Sequence, residues 1–158
     1  MNSCFVLTIS DGVAAGSRQD ESGRLLAERL AAFGFGVERG AVPDESEAVA
    51  AAVRDAVARG HRLVVTSGGT GLGPRDRTPE ALRPLLDLEI PGFGEAMRAA
   101  GRASTPLVDL SRSFAGAIGS ALVIAVPGSP GGALESLGAV QPLLEHALQT
   151  LIGDTQHR

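Results

Sequence analysis

Ser67-Gly68-Gly69-Thr70-Gly71, followed at short range by Asp76, is the part of this chain best suited to chemistry. Glycine lacks the Cβ that keeps a ligand away from the main chain, so the N–H groups at Gly68, Gly69 and Gly71 can close around an oxyanion. Ser67 and Thr70 add hydroxyls, and Asp76 supplies a carboxylate of the kind that holds a phosphate-bound divalent cation. The spacing departs from the common ATPase phosphate loop, which requires Gly-Lys-Ser/Thr after four spacer residues. All 14 Lys+Arg positions are arginine. Schiff-base chemistry, a lysine general base and a phosphate-gripping lysine are therefore absent. A phosphate must be held by arginine, backbone N–H, a helix N-terminus or a metal.

Positioning such a loop is the work of the elements around it. Leu63-Val64-Val65 reads as part of a buried strand over residues 62–66, and further strands are expected over 5–9, 35–42 and 121–126. Asp20 caps a helix with Leu26, Leu30 and Phe33 on one face and Gly34 as its stop. Asp44 with Glu47 forms a capping box for a helix that turns Val49, Val53 and Val57 inward and ends at Gly60. Thr78-Pro79-Glu80 starts another helix, which Pro84 shortens, and one more is expected over 93–100. Residues 109–120 hold a short helix end and a hairpin-like approach to the last strand. The helical ending is interrupted at Pro142 and presents Leu143, Leu144, Ala147, Leu148 and Leu151. This alternation predicts an α/β domain with a mostly parallel sheet. Ligands then bind beyond the carboxyl ends of the strands, which gathers Ser10-Asp11-Gly12, Pro43-Asp44, the Gly68–Asp76 loop and Pro127-Gly128-Ser129 on one rim.

A length of 158 residues suits one domain. With 21 glycines, five phenylalanines and no Trp or Tyr, the core must be built from Leu, Val, Ile and Ala. A net charge of -4 and a pI near 5.3 argue against nucleic acid or an anionic membrane as partner and favour small-molecule ligands. The apolar run from Phe5 to Ile9 is too short for a signal or a membrane span, and a single cysteine, Cys4, forms no internal disulfide. A reduced, cytoplasmic setting is expected, with Cys4 inert.

Six motifs in register carry a resemblance. TISDG, VPDE, TSGGTG with PRDRTPE, IPGFGEAMR, TPLVDLSR and VPGSP closely resemble the MogA/MoaB family of molybdenum-cofactor biosynthesis over about residues 5–152, and are also similar to the gephyrin G domain. The resemblance implies a single-domain three-layer sandwich with helices on both faces of the sheet, and a homotrimer. It implies transfer of an adenylyl group from Mg-ATP to the terminal phosphate of molybdopterin, with release of pyrophosphate. ATP and molybdopterin are then the partners, molybdopterin is a substrate, and Mg²⁺ is the cofactor. Carried onto this sequence, Asp44 and Asp76 are the catalytic and metal-binding carboxylates. Ser67, Gly68, Gly69, Thr70 and Gly71, with Pro127, Gly128 and Ser129, border the nucleotide and its phosphates, while Ser10, Asp11, Ser111 and Arg112 face molybdopterin. Gly131 stands where many relatives carry lysine, so any cationic contact from that point is lost. Two alternatives are a non-catalytic molybdopterin-binding paralogue and a CinA-like nucleotide pyrophosphatase.

Each residue also has a plainer reading. Asp44 serves as an ordinary helix cap, Asp76 pairs with Arg75 or Arg77, Asp11 makes an Asx turn, and Glu95 with Arg98 forms a surface ion pair. His61, His146 and His157 fall outside the rim loops and are expected to be non-catalytic. A phosphate monoester is largely dianionic at pH 7 and needs no strong base.

Overall fold

Alternation along the first strand decides which side of the sheet meets which helices. In the computed structural model, which describes residues 2–154, β1 (Ser3–Ile9) sends Cys4 and Val6 to one apolar cluster and Phe5, Leu7 and Ile9 to the other. The first cluster is completed by Leu26 and Leu30 of α2 (Glu21–Ala32), Met97 of α5 (Pro91–Gly101), Leu137 of α6 (Pro130–Val140) and Leu148 of α7 (Leu144–Leu151). Val49 and Val53 of α3 (Ser46–Ala58) and Leu82 of α4 (Thr78–Leu82) complete the second. Helices thus cover both faces.

Six strands among the described residues form one sheet in the order β2-β1-β3-β6-β5-β4. β2 (Gly36–Val42), β1, β3 (Leu63–Ser67) and β6 (Ala121–Val126) run parallel, and β5 (Phe114–Ile118) and β4 (Leu88–Glu89) add an antiparallel edge. Ile9 lies opposite Val42, Thr8 opposite Ser67, and Ser67 opposite Val126, so the four parallel strands end on one line and release their loops together. The fold class expected from the sequence is the one found, and Pro84 and Pro142 each convert the chain to a 3-10 turn, over Arg83–Leu85 and Gln141–Leu143.

Several local expectations are corrected. Asp44 does not cap α3: the residue before that helix is Glu45, which makes no side-chain cap bond, because the Asp44 carboxylate turns instead to the N–H of Asp11. Phe33 is 43% exposed at the end of α2 and stacks on Phe35, so only Leu26 and Leu30 of that stripe are core. Ala56 rather than Val57 is fully buried in α3, and Leu143 is exposed. Glu95 and Arg98 form no ion pair among the described residues; Arg98 donates to the carbonyls of Ser111 and Ser113 at 3.3 and 2.8 Å. Cys4 is fully buried, and that burial pushes its thiol up to about 12, leaving it protonated at neutral pH. Among the described residues no helix is long and apolar enough to cross a membrane.

Candidate active site

The loop after β3 is shaped by two glycines whose backbone no other residue would adopt easily. Gly68 has φ +113° and Gly69 φ +69°, and added Cβ atoms there would collide with the Ile9 carbonyl and with Thr78 Oγ1. Thr78, itself buried, fastens the turn: its hydroxyl donates to the Gly68 carbonyl at 2.9 Å and its N–H to that of Gly69 at 3.1 Å. Further along, Asp76 Oδ2 accepts from Gly73 N–H at 2.8 Å, which the absence of side chains at Gly71 and Gly73 permits. Asp76 therefore pairs with neither Arg75 nor Arg77.

Arg75 reaches across to Asp11 instead, donating through Nε and one terminal nitrogen at 2.7 and 2.9 Å. Asp11 and Asp44 exchange bonds as well, each carboxylate accepting the other's N–H at 3.0 Å. Asp11 is thus a staple between three loops rather than an Asx turn, and its hydrogen bonds to Arg75 and to the Asp44 N–H hold its carboxyl below the usual range. Asp44 is pushed the other way, chiefly by burial, with the charges of Asp11 and Asp76 adding to the shift. Asp44 and Asp76 each commit only Oδ2 to a hydrogen bond among the described residues, so each keeps one free oxygen.

One cleft of about 1030 Å³ collects these groups. Its lining includes Ser10, Asp44, Ser67, Gly68, Gly69, Thr70, Gly71, Asp76, Ser111, Pro127, Gly128 and Ser129. Ser10 caps α1 (Asp11–Ala14), and Ser67, almost fully buried, donates to Pro127 O at 3.0 Å. Ser129 caps α6 by accepting Gly132 N–H, so that helix presents its positive end to the cleft.

Asp11 and Arg112 are not in the lining. Arg112 works from behind, donating to the Gly71 carbonyl at 3.0 Å, the Asp76 carbonyl at 2.7 Å and both oxygens of Glu80 at 2.9 Å, while its N–H holds the Thr70 carbonyl at 2.8 Å. At Glu80 desolvation pushes the carboxyl up, but the hydrogen bond and charge of Arg112 outweigh it and leave the group below its ordinary value. His61 sits at the opposite end of β3 on Glu38, at 2.8 Å; His146 lies in α7, and His157 is outside the described residues.

Sequence reasoning missed one wall of the cleft. Thr8, Arg18, Asp20 and Ser22 line it, as do residues of the segment from Ser104 to Leu110. Thr8 donates to the Asp20 carboxylate at 2.8 Å while Asp20 caps α2 through Gly23 N–H. The one signal in the sequence was a polar residue, Thr8, inside the apolar run Phe5–Ile9; that Thr8 and Ser22 are buried is seen only in the fold.

A family model described as "Probable molybdopterin binding domain" matches residues 5–146. The chain belongs to this molybdopterin-binding family. A molybdenum cofactor biosynthesis bifunctional protein of Synechococcus elongatus is 44% identical over 94% of this chain and 47% of its own length. A molybdopterin adenylyltransferase of Pyrococcus furiosus is 36% identical over 91% of this chain and 88% of its own. Among solved structures, the molybdopterin biosynthesis enzyme MoaB of Thermus thermophilus superposes with a TM-score of 0.90 at 47% identity, covering 97% of this chain and 98% of that one. The chain spans about half the length of the first curated relatives it matches.

Proposed function

We propose that this member of the molybdopterin-binding family transfers an adenylyl group from ATP to the terminal phosphate of molybdopterin. The observation that carries the reading is the meeting, in one cleft, of the Gly68–Gly71 backbone and the α6 N-terminus with two carboxylates that each hold an oxygen in reserve. Relatives named for this transfer support it.

The phosphate monoester, with a second pKa near ~6, attacks the α-phosphorus largely as a dianion. A phosphorus–oxygen bond forms to the incoming oxygen while the α–β anhydride bond breaks, and pyrophosphate leaves with the electron pair. No proton has to be removed, which suits a cleft without histidine in its lining. Gly68 N–H is held by the Val126 carbonyl at 3.1 Å, so the backbone donors of Gly69–Gly71 and the end of α6 meet charge on the phosphates, and the walls align the two anions.

Among the described residues no group of three or more His, Cys, Asp or Glu gathers for an all-protein metal site. The donor set fits magnesium carried by ATP, which asks for one or two carboxylates besides phosphate and water. The free oxygens of Asp44 and Asp76 would hold it, and it would supply charge neutralisation at the phosphates. Such an ion would also offset the charge of Asp76 on Asp44, a minor contribution beside the burial that raises the Asp44 carboxyl.

The test is molybdopterin-dependent pyrophosphate release from Mg-ATP. The wild-type protein is expected to release it, and Asp76→Asn to do so about 10²- to 10³-fold more slowly. Binding of molybdopterin with no release by the wild type overturns the reading in favour of a binding-only protein. Gly131, where a Cβ would meet open space, is the feature that favours this second reading, since no side chain reaches into the cleft from there.

A further inference from the structure

The acids and bases of the cleft are unequal in number. Among the described residues its charged lining consists of five carboxylates, Asp20, Glu21, Asp44, Asp76 and Glu135, and one cation, Arg18. Asp20 is neutralised from outside by Arg39 at 3.1 Å and Glu21 by Arg24 at 2.6 Å, while Glu135 takes the Ser104 hydroxyl at 2.6 Å. The Arg18 guanidinium has neither an ion pair nor a hydrogen bond among the described residues. Arg18 shares the cleft with these acids and pairs with none of them among the described residues.

Its backbone shows why. The Gly12 carbonyl accepts from Ser17 N–H at 3.0 Å, the Ser17 hydroxyl at 3.2 Å and Arg18 N–H at 3.2 Å, which draws the segment after α1 back over that short helix. A Cβ on Gly12 would lie 3.2 Å from Arg18 Cβ and 3.6 Å from its Cδ. Gly12 is not at positive φ, so its want of a side chain serves space rather than backbone conformation: it leaves room for the arginine stem. The stem is thereby seated over Gly12, while the guanidinium of this exposed residue keeps its five donors uncommitted among the described residues.

We propose that Arg18 is the side-chain cation that grips a substrate phosphate in this cleft. It is the one guanidinium of the lining among the described residues, and a planar fork suits a phosphate oxygen pair better than the other groups described there. The inference rests on the adenylyl-transfer reading for its substrates, whose phosphates share the same chemistry, and on the geometry alone for the presence of an anion site.

The test separates the two. Calorimetric titration of inorganic pyrophosphate with Mg²⁺ into wild type and Arg18→Gln should show binding weaker by about tenfold or more in the variant. The melting temperature should not change, because the guanidinium bonds to nothing in the described protein. Arg54→Gln, an exposed position on α3 outside the cleft, controls for net charge and should bind as wild type does. Gly12→Val, which must displace the Arg18 stem, should weaken binding in the same direction. Equal affinities of wild type and Arg18→Gln, or no pyrophosphate binding by the wild type, overturn the proposal. In the transfer assay a raised KM for ATP alone or for molybdopterin alone identifies which phosphate Arg18 meets, whereas unchanged KM for both counts against it. Wild-type protein that binds pyrophosphate through Arg18 yet catalyses no transfer would sink the enzymatic reading and leave the anion site standing.

Discussion

The wall of the cleft formed by residues 68–76 and the wall formed by residues 10–20 face the same ligand space, yet they are held in different ways. Buried or half-buried groups clamp the first from behind: Thr78 on the carbonyls of Gly68 and Gly69, Arg112 on those of Thr70, Gly71 and Asp76 and on Glu80. The second is fastened at its surface, through the Gly12 carbonyl, the Asp11–Arg75 pair and the Asp11–Asp44 exchange, and leaves Arg18 free. The difference teaches that a wall whose tools are backbone N–H groups must be rigid, since a peptide cannot reorient alone. A wall whose tools are side chains can leave them loose until a ligand arrives.

The comparison breaks first at Gly69. Gly69→Val requires a β-branched residue at positive φ and drives Cβ into Thr78, so we expect transfer to fall below detection and the melting temperature to drop by several degrees, read by calorimetry and pyrophosphate release. Intact stability would show that the first wall is less rigid than its clamps suggest.

Asp44→Asn should separate the two properties. The rate is expected to fall about 10²- to 10³-fold, as for Asp76, while stability at neutral pH stays level or rises. The sign follows from the raised pKa: folded protein binds the Asp44 proton more tightly than unfolded chain, so its contribution to stability is present below the unfolded pKa and fades as pH climbs through the folded one. Asparagine keeps an acceptor for Asp11 N–H without the charge. Melting temperatures of mutant and wild type should therefore diverge as pH rises through the raised Asp44 value and run parallel above it. Added Mg²⁺ should close the gap by stabilising the wild type alone.

The smallest effect is expected for Arg112→Lys. An ammonium cannot span Glu80, Gly71 O and Asp76 O as the guanidinium does, so a fall of a few-fold in kcat with little change in KM is expected, checked by steady-state kinetics. A rise in KM without loss of kcat would instead place Arg112 on the substrate.

Much of this is legible in the sequence because it depends on contacts near in the chain. β6 can be read to the residue, the other three parallel strands to within two at either end, and the four rim loops follow from strand order alone. The interruptions at Pro84 and Pro142 are local chemistry. What escapes is long-range. The two-residue strand β4 exists only because β5 offers Gly116 and Ala117 as partners. Asp44 looks like a cap until Asp11, 33 residues away, offers a competing N–H. The bonds of Arg112 to Glu80 and the phosphate loop, 32 and 41 residues away, have no signal in the sequence. Arg18 gives no pattern, because its proposed role rests on lacking a partner among the described residues in a cleft that only the fold assembles.

The burial of Cys4 reaches beyond packing. A thiol buried between the sheet and its helices, protonated and sealed from water, can meet an alkylating reagent only when the helix layer over β1 opens. As the single cysteine of the chain it is a built-in clock, and the rate at which it takes up label measures how often that layer lifts from the sheet.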